Sequence, residues 1–260
     1  NETLITADKL SESFNIAESS HLYKKCLFLI EACYAGSVGE VFTAPNLATI
    51  TASNSKESSN AAVYDSELGC WLTNEFTNNF INLIDESPKM LVGELYNQLY
   101  KLTTESHSIY YGDESIQKVP LSKFIGEPKN AINHNFSPFS NEKPVAQKKA
   151  AEMTLDFLSK HSKPQVRARA KIQILKRKTQ TMKLDTVLDS LVKFVDPRNY
   201  DKIMNEMDTK VTENYFDLLN LFVNKFGQIN PDDYGKFKVL KNLAALHPKD
   251  EIVKGIASVF

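Results

Sequence analysis

"LFLIEACYAGSVGE", residues 27–40, decides how this chain folds. Leu27 to Ile30, with Cys26 before them, are apolar on both faces of a pleat, the pattern of a strand buried inside a parallel sheet. The run then breaks into an acid, a cysteine and a glycine-bearing turn. In parallel sheets, functional side chains gather at the carboxyl ends of strands, where the chain leaves the core and meets loops. Cys33 is predicted to stand there. A lone cysteine is more often a small packed hydrophobe than a nucleophile, but Glu31 two residues before it and a turn directly after it are poorly suited to burial.

Outward from this stretch, the pattern predicts a helix over 8–22 and strands at 26–32, 47–53 ("LATITAS") and 107–112 ("HSIYYG"). Helices are predicted at 71–86 and 88–104, the second started by Ser87-Pro88 as cap and first helical residue. Strands alternating with helices predict an α/β layer, a mostly parallel sheet flanked by helices, over residues 1–112. Periodicity fades over 113–143, where "GEPKNAINHNFSPFSNEKP" is rich in Asn, Pro and Ser and reads as a linker. Residues 144–260 read as a second, all-α domain, with helices at 144–161, 165–181, 184–195, 200–226, 232–246 and 249–258. Leu184, Val187, Leu188, Leu191 and Val192, then Phe216, Leu219 and Val223, recur at helical spacing and supply its core.

At 260 residues, 42% apolar and 24% charged, the chain has an ordinary globular composition. No apolar run approaches the roughly 18 residues that span a bilayer, and "NETLITADKL" lacks a signal-peptide core, so any targeting segment is expected to have been removed or to lie upstream. The net charge of −1 conceals two opposed halves: 18 Asp+Glu against 9 Lys+Arg in 1–142, and 14 against 22 in 143–260. Residues 143–183 alone hold twelve Lys/Arg against Glu152 and Asp156. The nearest acidic partner of that basic half is the other half of the same chain, which favours intramolecular docking over nucleic acid or membrane as partner. Three cysteines, Cys26, Cys33 and Cys70, are too few for a disulfide scaffold, and the five histidines show no metal-ligand spacing. Without a phosphate-cradling glycine loop or dinucleotide fingerprint, no cofactor and no metal are expected.

A second polar cluster follows the next strand: "TASNSKESSNAA", 51–62, carries Glu57, Ser58 and Ser59. "LYKKCLFLIEACYAGS" and "TASNSKESS", followed by "LGCW", together resemble the legumain family of asparaginyl cysteine endopeptidases, relatives of caspases. Later, "KRKTQTMKLD" and "DYGKFKVLKNLAALHP" are similar to that family's C-terminal prodomain. The resemblance implies a caspase-like fold for 1–112, an activation linker over 113–143 and an inhibitory helical prodomain over 144–260. It implies Cys33 as the nucleophile, its own N–H as an oxyanion donor, and Glu31, Ser58, Ser59 and Cys70 as residues of the substrate pocket. An asparagine side chain offers one acceptor and two donors, so its pocket needs both kinds of partner.

Three departures from the family stand out. Cys70 occupies the place of an aspartate. None of the histidines, His21, His107, His134, His161 and His247, matches the catalytic one, which is expected in an upstream segment of the same precursor. A free thiol has a pKa of about 8.5, so at about pH 5.5 only roughly one in a thousand is thiolate without a neighbouring imidazolium. Residues 143–260 hold no cysteine, although family prodomains often carry disulfides. The resemblance further implies peptide or protein substrates, latency relieved by acid, self-cleavage after Asn130, Asn133, Asn135 or Asn141, and a lysosomal, vacuolar or secreted location. "NET" at Asn1 and "NFS" at Asn135 are glycosylation sequons. Two other readings compete: a transamidase or ligase using the same thiol, and a catalytically silent helical interaction protein.

Overall fold

A computed structural model describes residues 5–126, 143–206 and 211–260. Asn1 and the four asparagines 130, 133, 135 and 141 lie outside the described residues, so the glycosylation and processing expectations are not placed. The chain divides into two compact units, 1–157 and 158–260.

The first unit begins with α1 (Ala7–Ser19), whose N-cap Thr6 accepts a hydrogen bond from the Lys9 amide. It continues through β1 (Cys26–Ile30), α2 (Gly36–Gly39), β2 (Leu47–Thr51), β3 (Asn60–Asp65), β4 (Cys70–Asn74), α3 (Glu75–Glu86), α4 (Val92–Leu102) and β5 (Ile109–Gly112). A 3-10 turn at Glu114–Lys118, α5 (Ser122–Ile125), β6 (Val145–Ala146) and α6 (Gln147–Ser159) complete it, α6 running across the division between the units.

One sheet has the order β1-β2-β5. β1 and β2 are parallel, Cys26 beside Leu47 and Ile30 beside Thr51, as the buried runs predict. β5 is antiparallel to β2, so the sheet is mixed; among the described residues β1 pairs on one side, with β2. Helices flank it because its side chains alternate. Phe28 points to Phe14 of α1 and Phe42, with ring centroids 5.3 to 5.9 Å apart. Leu27 and Leu29 join Ala48 and Ile50 against Phe76 and Leu83 of α3 and Leu95 and Leu99 of α4. β2, wrapped on both sides, is buried along its whole length.

The second sheet, β4-β3-β6, was not expected. The stretch read as one helix over 71–86 is a strand to Asn74 and a helix from Glu75. Asp65 Oδ1 accepts from the amides of Glu67 and Leu68 at 2.8 and 2.9 Å and turns the hairpin. Gly69 closes it with φ +66°, and an added Cβ there would fall 2.0 Å from the ring of Phe157. β6 extends the sheet on the other side, pairing Ala146 with Asn60 and Val145 with Ala61.

Ser87 closes α3 and does not open α4; α4 starts after Leu91, whose N–H donates to Glu94 Oε2 at 2.9 Å. Part of the stretch read as linker is packed: Ile116 and Leu121 are fully buried in the core of the first unit.

The described residues of the second unit form helices. α7 (Pro164–Val195) is continuous where two helices were expected, since no Gly or Pro interrupts 165–195. A 3-10 turn (Pro197–Asn199) and a π turn (Lys202–Glu206) precede α8 (Tyr215–Phe226). A 3-10 turn (Pro231–Phe237), α9 (Lys238–Leu246) and α10 (Lys249–Val259) follow. Leu184, Leu188, Leu191 and Val192 of α7 share a core with Leu218 and Phe222 of α8, Leu243 of α9 and Ile252 and Ile256 of α10. His247 Nε2 lies 2.9 Å from Asp196 Oδ2 and ties α9 to the end of α7. No helix among the described residues is long and apolar enough to cross a membrane.

Candidate active site

Glu31, Ala32 and Cys33 follow β1 directly, where the pleat ends and the chain turns into α2. The turn is held by the loop after β2. The Tyr34 N–H donates to the Glu57 carbonyl at 2.8 Å, and the Gly36 N–H to the Ser53 carbonyl at 3.0 Å. The Ser53 hydroxyl accepts from the Ala35 N–H and donates to the Ala32 carbonyl, both at 3.1 Å. Two local features explain the sequence. Tyr34 takes φ +59°, a left-handed conformation that a non-glycine residue adopts only when its surroundings impose it. A Cβ on Gly36 would stand 2.6 Å from the Ser55 nitrogen and 2.7 Å from the Asn54 carbonyl carbon, so only glycine lets the two loops approach.

This stitching brings together three of the expected residues. Cys33 is half-buried, its Sγ 3.1 Å from Ser58 Oγ and 3.8 Å from Ser59 Oγ. The Ser58 hydroxyl proton is already given to the Ser59 carbonyl at 2.7 Å. With its one proton on that carbonyl, the Ser58 hydroxyl leaves the thiol as donor in the Cys33–Ser58 contact; turned to sulfur, the same hydroxyl becomes the donor. The backbone N–H of Cys33 makes no hydrogen bond to another described residue, which leaves it available to an incoming oxygen. Among the described residues no imidazole is within hydrogen-bond reach of Sγ.

Glu31 is also half-buried. Its Oε2 accepts from the Thr77 N–H at 3.1 Å and from the Thr77 hydroxyl at 3.0 Å, while Oε1 is buried without a partner among the described residues. Burial pushes the carboxyl above its ordinary value, against the pull of the Thr77 and Ser59 donors, and the nearby Glu75 carboxylate pushes the same way as burial.

Cys70 is not brought to this cluster. It pairs with Asp65 at the turn end of the β3–β4 hairpin. Ser59 adjoins the opposite end at Asn60, and five residue steps separate Asn60 from Asp65, roughly 16 Å. Nearer the thiol end, a groove of about 380 Å³ between β4 and α6 is lined by Ala61, Trp71, Asn74, Thr77 and Gln147 among others. The Gln147 amide donates to Asn74 Oδ1 across it.

Two partners of the site had no sequence signal. Glu57 Oε1 accepts from the Asn54 N–H at 3.1 Å and the His107 N–H at 2.6 Å, and Oε2 lies 2.9 Å from His107 Nδ1. Partial burial alone would raise the Glu57 carboxyl, but the His107 and Asn54 hydrogen bonds outweigh it and hold the carboxyl below its ordinary value. His107 thus serves the loop that carries Ser58. Thr77 is the other, 46 residues from the glutamate it holds. No group of three or more His, Cys, Asp or Glu among the described residues is arranged to hold a metal ion.

Residues 1–127 match the Peptidase C13 family over the whole segment that carries this thiol, its serines and Glu31. They belong to that family. The chain is 30% identical over 120 residues to legumain of Mus musculus, covering 45% of this chain and 28% of that protein. It is 32% identical over 131 residues to legumain of Bos taurus, covering 48% and 30%. A match to the GPI-anchor transamidase of Saccharomyces cerevisiae has 22% identity over 142 residues, covering 52% and 34%. The chain thus spans about a third or less of each relative it matches here.

Proposed function

We propose that this C13 chain is the thiol-bearing part of a legumain-like cysteine endopeptidase that cleaves after asparagine. The observation that carries the reading is the Cys33 sulfur: at the end of a sheet strand, half-buried, with hydroxyl neighbours and a backbone N–H that no described residue accepts from. In the proposed reaction, an imidazole from another segment of the precursor takes the thiol proton. Sulfur then attacks the scissile carbonyl, and the developing oxyanion is met by the Cys33 N–H. The C–N bond breaks as the imidazolium returns its proton to the leaving amine. Water then hydrolyses the thioester and frees Cys33. Glu31 Oε1 accepts from the substrate carboxamide, with the Ser58 and Ser59 hydroxyls beside it. Cys70 has no part in the pocket in this reading, and Cys70→Asp is expected to leave the Asn-over-Asp cleavage ratio unchanged.

The test is labelling of the complete precursor, after acid treatment, with a peptide electrophile carrying asparagine at its terminal position. One equivalent should attach at Cys33 and none in Cys33→Ala. Attachment at Cys26 or Cys70 with equal efficiency would refute the reading. The match to a transamidase motivates a second outcome at the same thioester, attack by an amine in place of water. Hydrolysis with added hydroxylamine separates the two, since a ligase yields the hydroxamate in excess of the acid.

Latency is part of the proposal. The net −9 of residues 1–142 and +8 of 143–260 attract one another, and protonating carboxylates weakens that attraction while Lys and Arg keep their charge. Release of residues 144–260 in acid follows from this; cleavage after Asn130, Asn133, Asn135 or Asn141 and a lysosomal, vacuolar or secretory setting are added from the resemblance to the legumain family. Domain separation followed by fluorescence transfer in the intact protein should rise with acid and with salt. Separation indifferent to both counts against the latch.

A further inference from the structure

We infer that Thr77 is a positioning residue for substrate selection, locking one oxygen of Glu31 so that the other alone faces the substrate carboxamide. This rests on the reading of Glu31 as a pocket residue. Thr77 is the third residue of α3, so its N–H is one of those a helix start leaves without an intrahelical acceptor. It spends that N–H on Glu31 Oε2 at 3.1 Å and adds its hydroxyl to the same oxygen at 3.0 Å. Two donors from one residue fix both the position and the plane of the carboxylate. A carboxylate free to rotate presents either oxygen; this one presents Oε1.

Oε1 is the orphan of the arrangement, buried and without a partner among the described residues. A buried carboxylate oxygen left unpaired is costly, and a carboxamide N–H₂ is the chemistry that relieves it. The same residue lines the groove between β4 and α6 with Asn74 and Trp71, so Thr77 joins an open cleft to the carboxylate it orients. The Ser59 hydroxyl is near enough to pull the Glu31 carboxyl down but makes no hydrogen bond to Oε1. The nearby charge is Glu75, whose own oxygens are taken by the Thr104 N–H and hydroxyl and by the Glu105 N–H. Valine at 77 keeps the shape and the N–H and removes only the hydroxyl.

The experiment compares wild type, Thr77→Val and Thr77→Ser in the complete precursor. The Glu31 carboxyl is followed by ¹³C NMR, assigned by its loss in Glu31→Gln. In Thr77→Val the Glu31 titration should move to higher pH, because a donor to the charged form is gone. The kcat/KM for asparagine substrates should fall about tenfold, mostly in KM, with the acid limb of the rate profile moving the same way as the titration. Thr77→Ser should restore both. A Glu31 titration unmoved in a folded Thr77→Val overturns the inference. A moved titration with unchanged asparagine selectivity instead removes Glu31 from the substrate pocket, and the proposed selectivity with it.

Discussion

Replacing Glu57 by alanine is the sharpest test of how the thiol is held in place. The carboxylate accepts three hydrogen bonds, from the Asn54 N–H, the His107 N–H and the His107 ring, and its own carbonyl anchors Tyr34 beside Cys33. Hydrogen bonds to a charged group contribute about 1.5–3 kcal/mol each when desolvated. The Glu57 side chain is 25% exposed and that of His107 64%, so screening lowers this to about 1 kcal/mol each. Glu57→Ala should then cost roughly 3 kcal/mol, a fall in Tm of about 6–12 °C for a unit of this size. The pH dependence has a definite sign. Because the folded carboxyl lies below its ordinary value, the folded state binds fewer protons than the unfolded chain between the two values. The stabilisation is complete above the ordinary glutamate pKa of about 4.3 and is lost as pH falls through the folded value. Wild type and Glu57→Ala melts should therefore differ most at neutral pH and converge in acid, and Cys33 should alkylate faster in the variant as its turn loosens. An unchanged melt at pH 7, or a gap that widens on acidification, would refute the staple.

Gly36→Ala places a Cβ against the backbone of Asn54 and Ser55, neither of which is a flexible chain end, so urea unfolding should show a loss of about 1–3 kcal/mol. Tyr34→Gly should do the reverse, gaining about 0.5–1 kcal/mol by relieving a left-handed residue whose side chain is 43% exposed and so gives up little burial. Leu191→Ala, fully buried among α7, α8 and α10, should cost about 2–5 kcal/mol and loosen the helical unit while leaving Cys33 labelling intact. Differential hydrogen exchange of the two units checks that separation.

β1, β2 and the cluster of Cys33, Ser58 and Ser59 were legible because each rests on local pattern: a doubly apolar run, then polar residues at its end. The direction of β5 was not. Parallel or antiparallel pairing depends on how residues 52–108 route the chain, and "HSIYYG" reads the same either way. The β3–β4 hairpin was hidden because nothing punctuates Asn74-Glu75, so Trp71, Phe76 and Phe80 could be read as one helical stripe. Its turn, "DSELG", carries one glycine and an Asp65 whose capping role shows only in three dimensions. Glu57–His107 and Glu31–Thr77 are separated by 50 and 46 residues, and no spacing rule reaches that far. The grouping of Cys33 with Ser58 and Ser59 was therefore foreseen, and the partners that hold the site, Thr77 and His107, were missed. Cys70 illustrates the converse: its motif pointed to the pocket, but its hairpin register carries it to the far end.

The two-residue strand at Val145–Ala146 has a practical corollary. A polypeptide trimmed ahead of it would leave the β6-facing border of β3, at Asn60 and Ala61, uncovered and open to any extended segment that happens by. Self-association of such shortened forms, through that margin, is the behaviour to watch for when they are concentrated.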